Sequence, residues 1–322
     1  MEGQAGMALT DFVLDEWRRN VPTPVLAAAR AIAARYGDSV LGVLFYGSCL
    51  RTGEIDDRIL DFYVIVDDYG HAYDKQWLVI ANALLPPNVF YHELHVEDPE
   101  KPGGVTVRSK YAVLTLEAFE RRVRPSCLNV SLWARFCQPC QLLLARDQDM
   151  RRRMAAAVGR AAMTMLQSVI DLLPPFVTPR LLWETAFSRT YGAELRSERG
   201  NKGAEIFALD RKRYEDMTPL VLGALGQADI LGAGSAVSSQ PPRGPYYRAS
   251  LLWVLRTLDG KIVSLLRLIK ASMTFDGGID YLAWKIHRHS GVEITITDAM
   301  RRRPVLSGLR MFLSLRKKGA FK

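Results

Sequence analysis

The stretch LGVLFYGS at residues 41–48, followed by LDFYVIV at residues 60–66, decides the fold that this sequence predicts. Short apolar runs bounded by turn residues are typical of buried strands. The second run ends in aromatic and β-branched residues, which favour strands. The first run ends at Gly47-Ser48, where glycine allows a sharp turn. We therefore predict two buried strands, with a strand-to-helix turn directly after the first.

Further predicted elements extend these strands into a sheet with helices. Residues 77–85 have a helical pattern, whereas residues 89–96 and 105–115 are strand-like. The Pro-Gly-Gly between those two strands is predicted to be a connecting loop. A strand, a turn and a helix followed by adjacent strands are typical of a mixed sheet. The fold class predicted for residues 1–148 is therefore α/β (α+β).

Helical patterns dominate after residue 148. We predict a break or a fresh helix start at Thr218-Pro219 and a linker or mobile loop over the Gly-, Ser- and Pro-rich residues 232–247. The predicted helices span residues 150–173, 181–198, 211–225, 248–274, 279–289 and 298–318. The chain thus divides into a core at 1–148, a helical extension at 149–231 that completes the site, the linker, and a helical region at 248–322 with a basic amphipathic end.

The net charge of +9 is concentrated near residue 322. The protein has 43 basic and 34 acidic residues, and residues 301–322 contain eight basic residues and no acidic one. Such a segment favours anionic partners such as phospholipid head groups or nucleic acid, or it is a solvated helix end. Within it, positions 305, 309, 312 and 313 form an apolar helix face. This face is typical of an interfacial helix, or of a helix packed on the protein core.

The remaining composition predicts a cytoplasmic protein that is soluble or peripheral on a membrane. Residues 1–15 include acids and lack a long apolar segment, so we expect no secretory signal. No stretch reaches the roughly 18 uncharged apolar residues of a membrane span. The four cysteines are few, which favours reduced thiols. Cys137 and Cys140 have the spacing of a metal or redox pair, but we expect two small, semi-buried side chains.

Gly47, Ser48 and Asp61 form the candidate site. Glycine lets the backbone approach a triphosphate, and serine adds a hydroxyl beside free backbone amides. A carboxylate on the neighbouring strand, Asp61, then reaches Mg²⁺, which neutralises charge on the phosphates. The arrangement predicts binding of a magnesium nucleoside triphosphate, as nucleotidyl transfer requires. The alternative is a strand that begins with one solvated aspartate.

The position two residues after Asp61 departs from the expected pattern. Nucleotidyl transfer favours Asp-x-Asp on this strand, because alternate strand residues share one face, but the third residue here is Tyr63. Asp56 and Asp57 lie just upstream and are candidates for the missing metal ligand. The alternative is that these two aspartates form an exposed turn.

The motif FYGS at residues 45–48, followed by LDFYVIVDD at residues 60–68, resembles the mitochondrial-type phosphatidate cytidylyltransferases, the peripheral CDP-diacylglycerol synthases of the nucleotidyltransferase superfamily. That family shares a strand with Asp-Phe-aromatic that ends in Val-Asp-Asp, so the departure at Tyr63 is part of the resemblance. His71 fits only loosely where the family places Trp-His. Weaker matches extend the resemblance over most of the chain, at KYAV (110–113), YGAELR (191–196), Lys202 and KKGAF (317–321).

The resemblance implies substrates, a metal and site residues. CTP and phosphatidate would form CDP-diacylglycerol and pyrophosphate with Mg²⁺ as cofactor, at an anionic membrane surface reached by the C-terminal basic helix. The implied nucleotide-binding residues are Tyr46, Gly47, Ser48 and Lys110, the implied metal ligands are Asp61, Asp57 and Glu194, and the implied catalytic residues are Asp61, Arg196 and Lys202. Glu194 and the three basic residues are equally compatible with a solvated surface.

Two other functions are compatible with the sequence. One is a nucleotidyltransferase that acts on a soluble alcohol, a sugar phosphate or RNA. No aromatic-interleaved basic motif for single-stranded RNA is present in the sequence, so no nucleic-acid partner is expected. The other is a degenerate domain that binds nucleotide or membrane without turnover, and the missing carboxylate at position 63 is its main support. The preference for cytosine follows from the resemblance alone.

Overall fold

A five-stranded mixed β-sheet organises the part of the protein that the structure describes. The computed structural model describes residues 2–55, 58–98, 101–194, 202–231 and 243–274. The strands are β1 Val40–Tyr46, β2 Ile59–Val66, β3 Asn88–Asp98, β4 Lys101–Thr115 and β5 Cys140–Ala145. The helices are α1 Glu2–Glu16, α2 Thr23–Ala34, α3 Ser48–Thr52, α4 Tyr69–Ala72, α5 Gln76–Leu84, α6 Leu116–Arg122, α7 Trp133–Phe136, α8 Gln148–Ile170, α9 Pro179–Ala193, α10 Lys202–Leu209, α11 Arg211–Ala224 and α12 Arg243–Thr274, with 3₁₀ turns at Gly37–Ser39 and Ala228–Ile230.

The strand order in the sheet is β3-β4-β2-β1-β5. β2 and β4 are parallel, whereas the other neighbouring strands pair in an antiparallel manner. The described elements that follow β5 are helical. The predicted class, a mixed α/β sheet followed by a mainly helical part, is therefore confirmed.

The two faces of the sheet pack against different helices. On one face, alternate residues such as Phe45 and Phe62 pack against Ile32 and its neighbours on α2. On the other face, Leu44 and Tyr63 join a larger core built from α1, α8, α9, α11 and Trp253 of α12. Burial of both faces explains why β1 and β2 are nearly continuous apolar runs, as expected for central strands.

The long helix α12 has an unusual distribution of side chains. Its protein-facing side includes Trp253, whose Nε1 donates to the Ser168 carbonyl at 2.8 Å, and Arg267, which donates to Pro86 O and Ser131 Oγ. Its opposite side exposes large apolar residues, each between 45% and 68% exposed. This apolar stripe consists of Tyr247, Leu251, Val254, Leu255, Leu258, Ile262 and Leu266. The helix therefore directs Arg256 and Arg267 toward the protein and exposes a row of apolar side chains on its outer side.

Two predicted interruptions are wrong. The Pro-Gly-Gly at residues 102–104 lies within β4 rather than in a loop, because the β3–β4 pairing already begins at Asp98 and Lys101. Helix α11 also continues through Pro219. Its neighbour Thr218 is buried, accepts a hydrogen bond from Trp183 Nε1 at 3.0 Å and donates to Tyr214 O at 2.6 Å. Tertiary packing of this turn outweighs the hydrogen bond that proline cannot donate.

Other differences concern the limits of elements. Neither α1 nor β5 was anticipated from the sequence, and α12 begins at Arg243, inside the stretch predicted to be a linker. Cys137 and Cys140 are fully buried rather than semi-buried, and burial raises the pKa of both thiols. All four cysteines are free thiols. The predicted helices at 279–289 and 298–318 lie outside the described residues.

Within the described ranges, no helix combines the length and the apolar character that crossing a bilayer requires.

A buried ion pair joins α1 to α11. Arg213 Nε and Nη2 donate to the two carboxylate oxygens of Glu16 at 2.6 and 3.0 Å, and Nη1 donates to Cys137 O at 2.8 Å. The two side chains are only 7% and 12% exposed. Replacing Arg213 by Met leaves the Glu16 carboxylate buried without its partner. We expect Arg213→Met to lower the free energy of unfolding, measured in urea, by about 3–5 kcal/mol.

Arg211→Met is the matched control for this experiment. Arg211 belongs to the same helix but pairs with Glu215 at the surface, so its loss should cost under about 1 kcal/mol. Equal destabilisation by the two variants would contradict a dominant role for the buried pair.

Candidate functional site

Three of the predicted site residues form one row across the central strands. The register of β1 on β2 places Tyr46 opposite Asp61, and the register of β2 on β4 places Asp61 opposite Lys110. Directly opposed residues of neighbouring strands have side chains on the same face. Tyr46, Asp61 and Lys110 therefore share the face that is covered by the larger helical core.

Gly47 fits closely against Asp61. Its backbone has φ 97° and ψ −163°, a conformation that residues with a Cβ atom rarely adopt. A Cβ atom built there would lie 3.0 Å from Asp61 Oδ2. Ser48 follows at the start of α3 and is exposed. Glycine is thus required both by the turn and by the close approach of the backbone to the carboxylate.

Lys110 and Asp61 influence each other electrostatically. Burial lowers the pKa of the Lys110 ammonium, and Arg135 adds to this effect, whereas the Asp61 carboxylate opposes it. A partly buried ammonium beside a carboxylate retains its charge more easily than one that is buried alone. The row therefore brings together a carboxylate and a cation that is desolvated.

Arg135 of α7 is a further member of the site. Its Nη1 donates to the Tyr63 hydroxyl at 3.0 Å, and its guanidinium carbon lies 5.3 Å from the centroid of the Tyr46 ring. Burial acts to lower the pKa of Arg135, but Tyr63, Tyr46 and the carboxylates of Glu194 and Asp61 raise it above its ordinary value. The guanidinium is thus electrostatically coupled to both carboxylates.

Glu194 reaches the site from the end of α9. It is the C-cap residue of that helix, and the preceding Ala193 lies against α12, where a Cβ atom on Gly260 would overlap the Ala193 carbonyl oxygen. Glu194 acts electrostatically on Arg135 and on Arg267 of α12. The close contact between α9 and α12 therefore fixes the end of α9 at which this carboxylate is attached.

The structure brings together most of the predicted site residues that it describes. Tyr46, Gly47, Asp61 and Lys110 are directly adjacent in the sheet, and Glu194 is linked to them through Arg135. Ser48 is next to them in sequence. Lys202 begins α10, and its Nζ lies 2.7 Å from Glu205 Oε2. The predicted residues Asp57 and Arg196 lie outside the described residues.

The sequence did not single out Arg135. It lies in a four-residue helix, no motif includes it, and its partners are 72 and 89 positions earlier in the chain. The arrangement of aromatic rings around it, Tyr46, Tyr63 and Phe136, is created by the fold. Only the register of β1 on β2 places both tyrosines on the same face.

The donor set fits a magnesium ion that is bound together with a polyphosphate. Among the described residues there is no group of three His, Cys, Asp or Glu side chains suited to hold a metal alone. Mg²⁺ bound with nucleotides, however, commonly uses one or two carboxylates and completes its shell with phosphate oxygens and water. Asp61 supplies one such carboxylate.

Comparisons with known proteins give limited information. No protein-family model matches the chain, and no curated protein matches it in sequence. Among the solved structures that match is a nucleotidyltransferase-like protein from Exiguobacterium sibiricum, which is 13% identical over 92% of each chain, with a TM-score of 0.24. This likeness identifies neither a substrate nor an activity.

The close approach of Gly47 to Asp61 predicts a specific sensitivity to substitution. Gly47→Ala should lower the free energy of unfolding by about 2–3 kcal/mol, because the variant combines a positive φ with a contact to the carboxylate. Gly53→Ala is the matched control, since Gly53 has φ 74° but no atom within 4 Å of the position that a Cβ atom would take. It should cost only about 1 kcal/mol. Chemical denaturation measures both, and equal losses would contradict the contact with Asp61.

Proposed function

We propose that this protein is a magnesium-dependent nucleotidyltransferase that transfers CMP from CTP to phosphatidate. The observation that carries the proposal is the row of Tyr46, Asp61 and Lys110 with the backbone of Gly47 against the carboxylate. This row combines a carboxylate, a desolvated cation and a backbone segment without a side chain. These are the groups that a metal-bound triphosphate requires.

The reaction needs little activation of the nucleophile. A phosphate oxygen of phosphatidate attacks the α-phosphorus of CTP, the bond from that phosphorus to the bridging oxygen of the β-phosphate breaks, and pyrophosphate leaves. The attacking oxygen is already an anion near neutral pH, so no general base is required. Asp61, with Glu194 as a further candidate, would hold Mg²⁺, which would neutralise phosphate charge. Lys110 would contact the triphosphate as a fixed cation and so favour the charge distribution of the transition state.

The apolar stripe on α12 supports a lipid acceptor. Exposed apolar residues at this helical spacing form one continuous face. The exposed charged residues along α12 include Arg248 and Lys261, and the one acidic residue of this helix, Asp259, accepts a hydrogen bond from Asn129 at 2.8 Å. An apolar face bordered by cations is the chemistry that an anionic membrane surface attracts. The choice of phosphatidate and of cytosine follows the sequence resemblance described above.

Release of pyrophosphate tests the reaction. With CTP, Mg²⁺ and phosphatidate in mixed micelles, we expect the wild-type protein to release pyrophosphate. Asp61→Asn should lose at least about 99% of the rate, because Asp61 is both the proposed metal ligand and the charged partner of Lys110. Asp74→Asn is the matched control, since Asp74 is exposed in the bend between α4 and α5. It should leave the rate unchanged.

The acceptor and the base are decided by the same assay. Release with a soluble alcohol or a sugar phosphate instead of phosphatidate would support a nucleotidyltransferase but exclude a lipid acceptor. A preference for ATP, GTP or UTP would exclude CTP as the preferred nucleotide. Absence of release with every acceptor and nucleotide would favour a domain that binds without turnover.

The lipid surface is tested by co-sedimentation with vesicles. Leu251→Glu combined with Leu258→Glu should reduce binding to vesicles that contain phosphatidate by about tenfold or more, because two charges enter the apolar face. Leu209→Glu is the control, since Leu209 of α10 is 63% exposed but lies outside the stripe. Equal binding by the double variant and the wild type would show that α12 does not contact lipid.

A further inference from the structure

Tyr63 occupies the position from which a second carboxylate would reach the site. It lies two residues after Asp61 on β2, so its side chain is on the same face of the sheet. Two carboxylates at such positions are able to hold two metal ions about 3.5–4 Å apart, which clamp both the attacking and the leaving oxygen. Tyr63 is an uncharged residue that is only 2% exposed. Its hydroxyl accepts the hydrogen bond from Arg135.

Arg135 is oriented by this contact and by aromatic rings. Its guanidinium carbon lies 5.3 Å from the Tyr46 centroid and 5.8 Å from the Tyr63 centroid. A guanidinium group has five N–H donors. Within the described part of the chain Arg135 makes one hydrogen bond, to Tyr63, and no ion pair within 4.0 Å. Most of its donors are therefore available to a ligand, although the two carboxylates act on it electrostatically.

We propose that Arg135, held by Tyr63, binds phosphate oxygens of the substrate and provides the positive charge that a second metal ion would otherwise supply. The proposal rests on the proposed function and deepens it, because it assigns one metal ion and one guanidinium to the triphosphate. The ligand class is a polyphosphate, either the triphosphate of the nucleotide or the pyrophosphate that leaves.

The physical basis is the shape and fixed charge of arginine. A guanidinium is planar, always protonated and able to contact two phosphate oxygens at once. Because Tyr46 and Tyr63 already orient Arg135, little reorganisation is needed when the anion arrives. The substitution of a tyrosine for a carboxylate and the presence of the arginine are thus two parts of one arrangement. One group removes a negative charge from the site, and the other adds a positive charge.

Binding of inorganic pyrophosphate in EDTA tests the guanidinium without turnover and without metal. In isothermal titration calorimetry of the full-length protein, we expect Arg135→Met to weaken binding by about tenfold or more, as is typical for loss of a charge-assisted hydrogen bond. Arg135→Lys should bind more weakly than the wild type, because an ammonium lacks the planar fork. Arg151→Met is the matched control. The guanidinium of Arg151 also lies over a ring, 5.8 Å from the Trp17 centroid. The Arg151→Met variant should bind pyrophosphate like the wild type.

Several results would overturn the assignment. Equal affinity of Arg135→Met and the wild type would reduce Arg135 to a packing residue, provided that thermal unfolding shows a folded variant. Tyr63→Phe provides a second check, because it removes only the hydroxyl that orients Arg135, and it should weaken pyrophosphate binding without unfolding the protein. If wild-type protein does not bind pyrophosphate, the assignment fails as well. The Asp61→Asn release assay then decides the proposed function separately.

The number of bound metal ions gives an independent readout. With Mn²⁺ as the probe and CTP present, electron paramagnetic resonance should count one protein-bound ion per chain in the wild type. Two ions per chain would overturn the proposal even if Arg135 contributes to pyrophosphate binding. A count of one together with weak binding by Arg135→Met supports the replacement of a metal ion by a guanidinium.

Discussion

The antiparallel pairing of β1 with β2 is the constraint on which the candidate site depends. It places Tyr46 opposite Asp61 and brings the turn at Gly47 against the same carboxylate. A shift of this register by one residue would move every side chain of one strand to the other face. Since both faces of these strands are buried under different helices, such a shift would also exchange the side chains packed in the two cores. The same packing that stabilises the sheet therefore fixes the site.

The helices of the larger core cover one face of the sheet and also contribute charged groups to the candidate site. α7 places Arg135 beside the two tyrosines, α9 ends at Glu194, and α12 directs Arg267 toward the same region. Of the cations on the inner side of α12, Arg267 donates to Pro86 O and Ser131 Oγ, whereas the buried Arg256 lies over the Trp133 and Trp253 rings. The outer side of α12 combines the apolar stripe with the exposed cations Arg248 and Lys261. An ordinary surface helix instead turns its apolar residues toward the core.

Local sequence was sufficient for the strands that carry the motif and insufficient for the contacts between distant segments. β1 and β2 were predicted because short apolar runs bounded by turn residues favour strands, as do the aromatic and β-branched residues of β2. With β1, β2 and the strand that contains Lys110 predicted, the residues of the row could be named from the sequence. Only the register shows that Lys110 adjoins Asp61. Arg135 could not be found, because its role arises from rings contributed by other strands. The same limit explains Pro219, where buried neighbours hold a helix that proline alone would interrupt.

The charges around Asp61 suit a ligand that brings both signs. Burial disfavours the charged form of Lys110, and the Asp61 carboxylate offsets this cost while the site holds no anion. On the proposed function, a metal-bound triphosphate would take over both roles, since its phosphates face Lys110 and Arg135 and its cation faces Asp61. On the same proposal, a bare cation would gain Asp61 but be repelled by two basic groups, and a bare polyphosphate would gain Lys110 and Arg135 but bind more weakly because of Asp61 and Glu194. The metal–polyphosphate complex would therefore bind more tightly than either component alone, through a balance of charges to which the register of β1, β2 and β4 contributes Asp61 and Lys110.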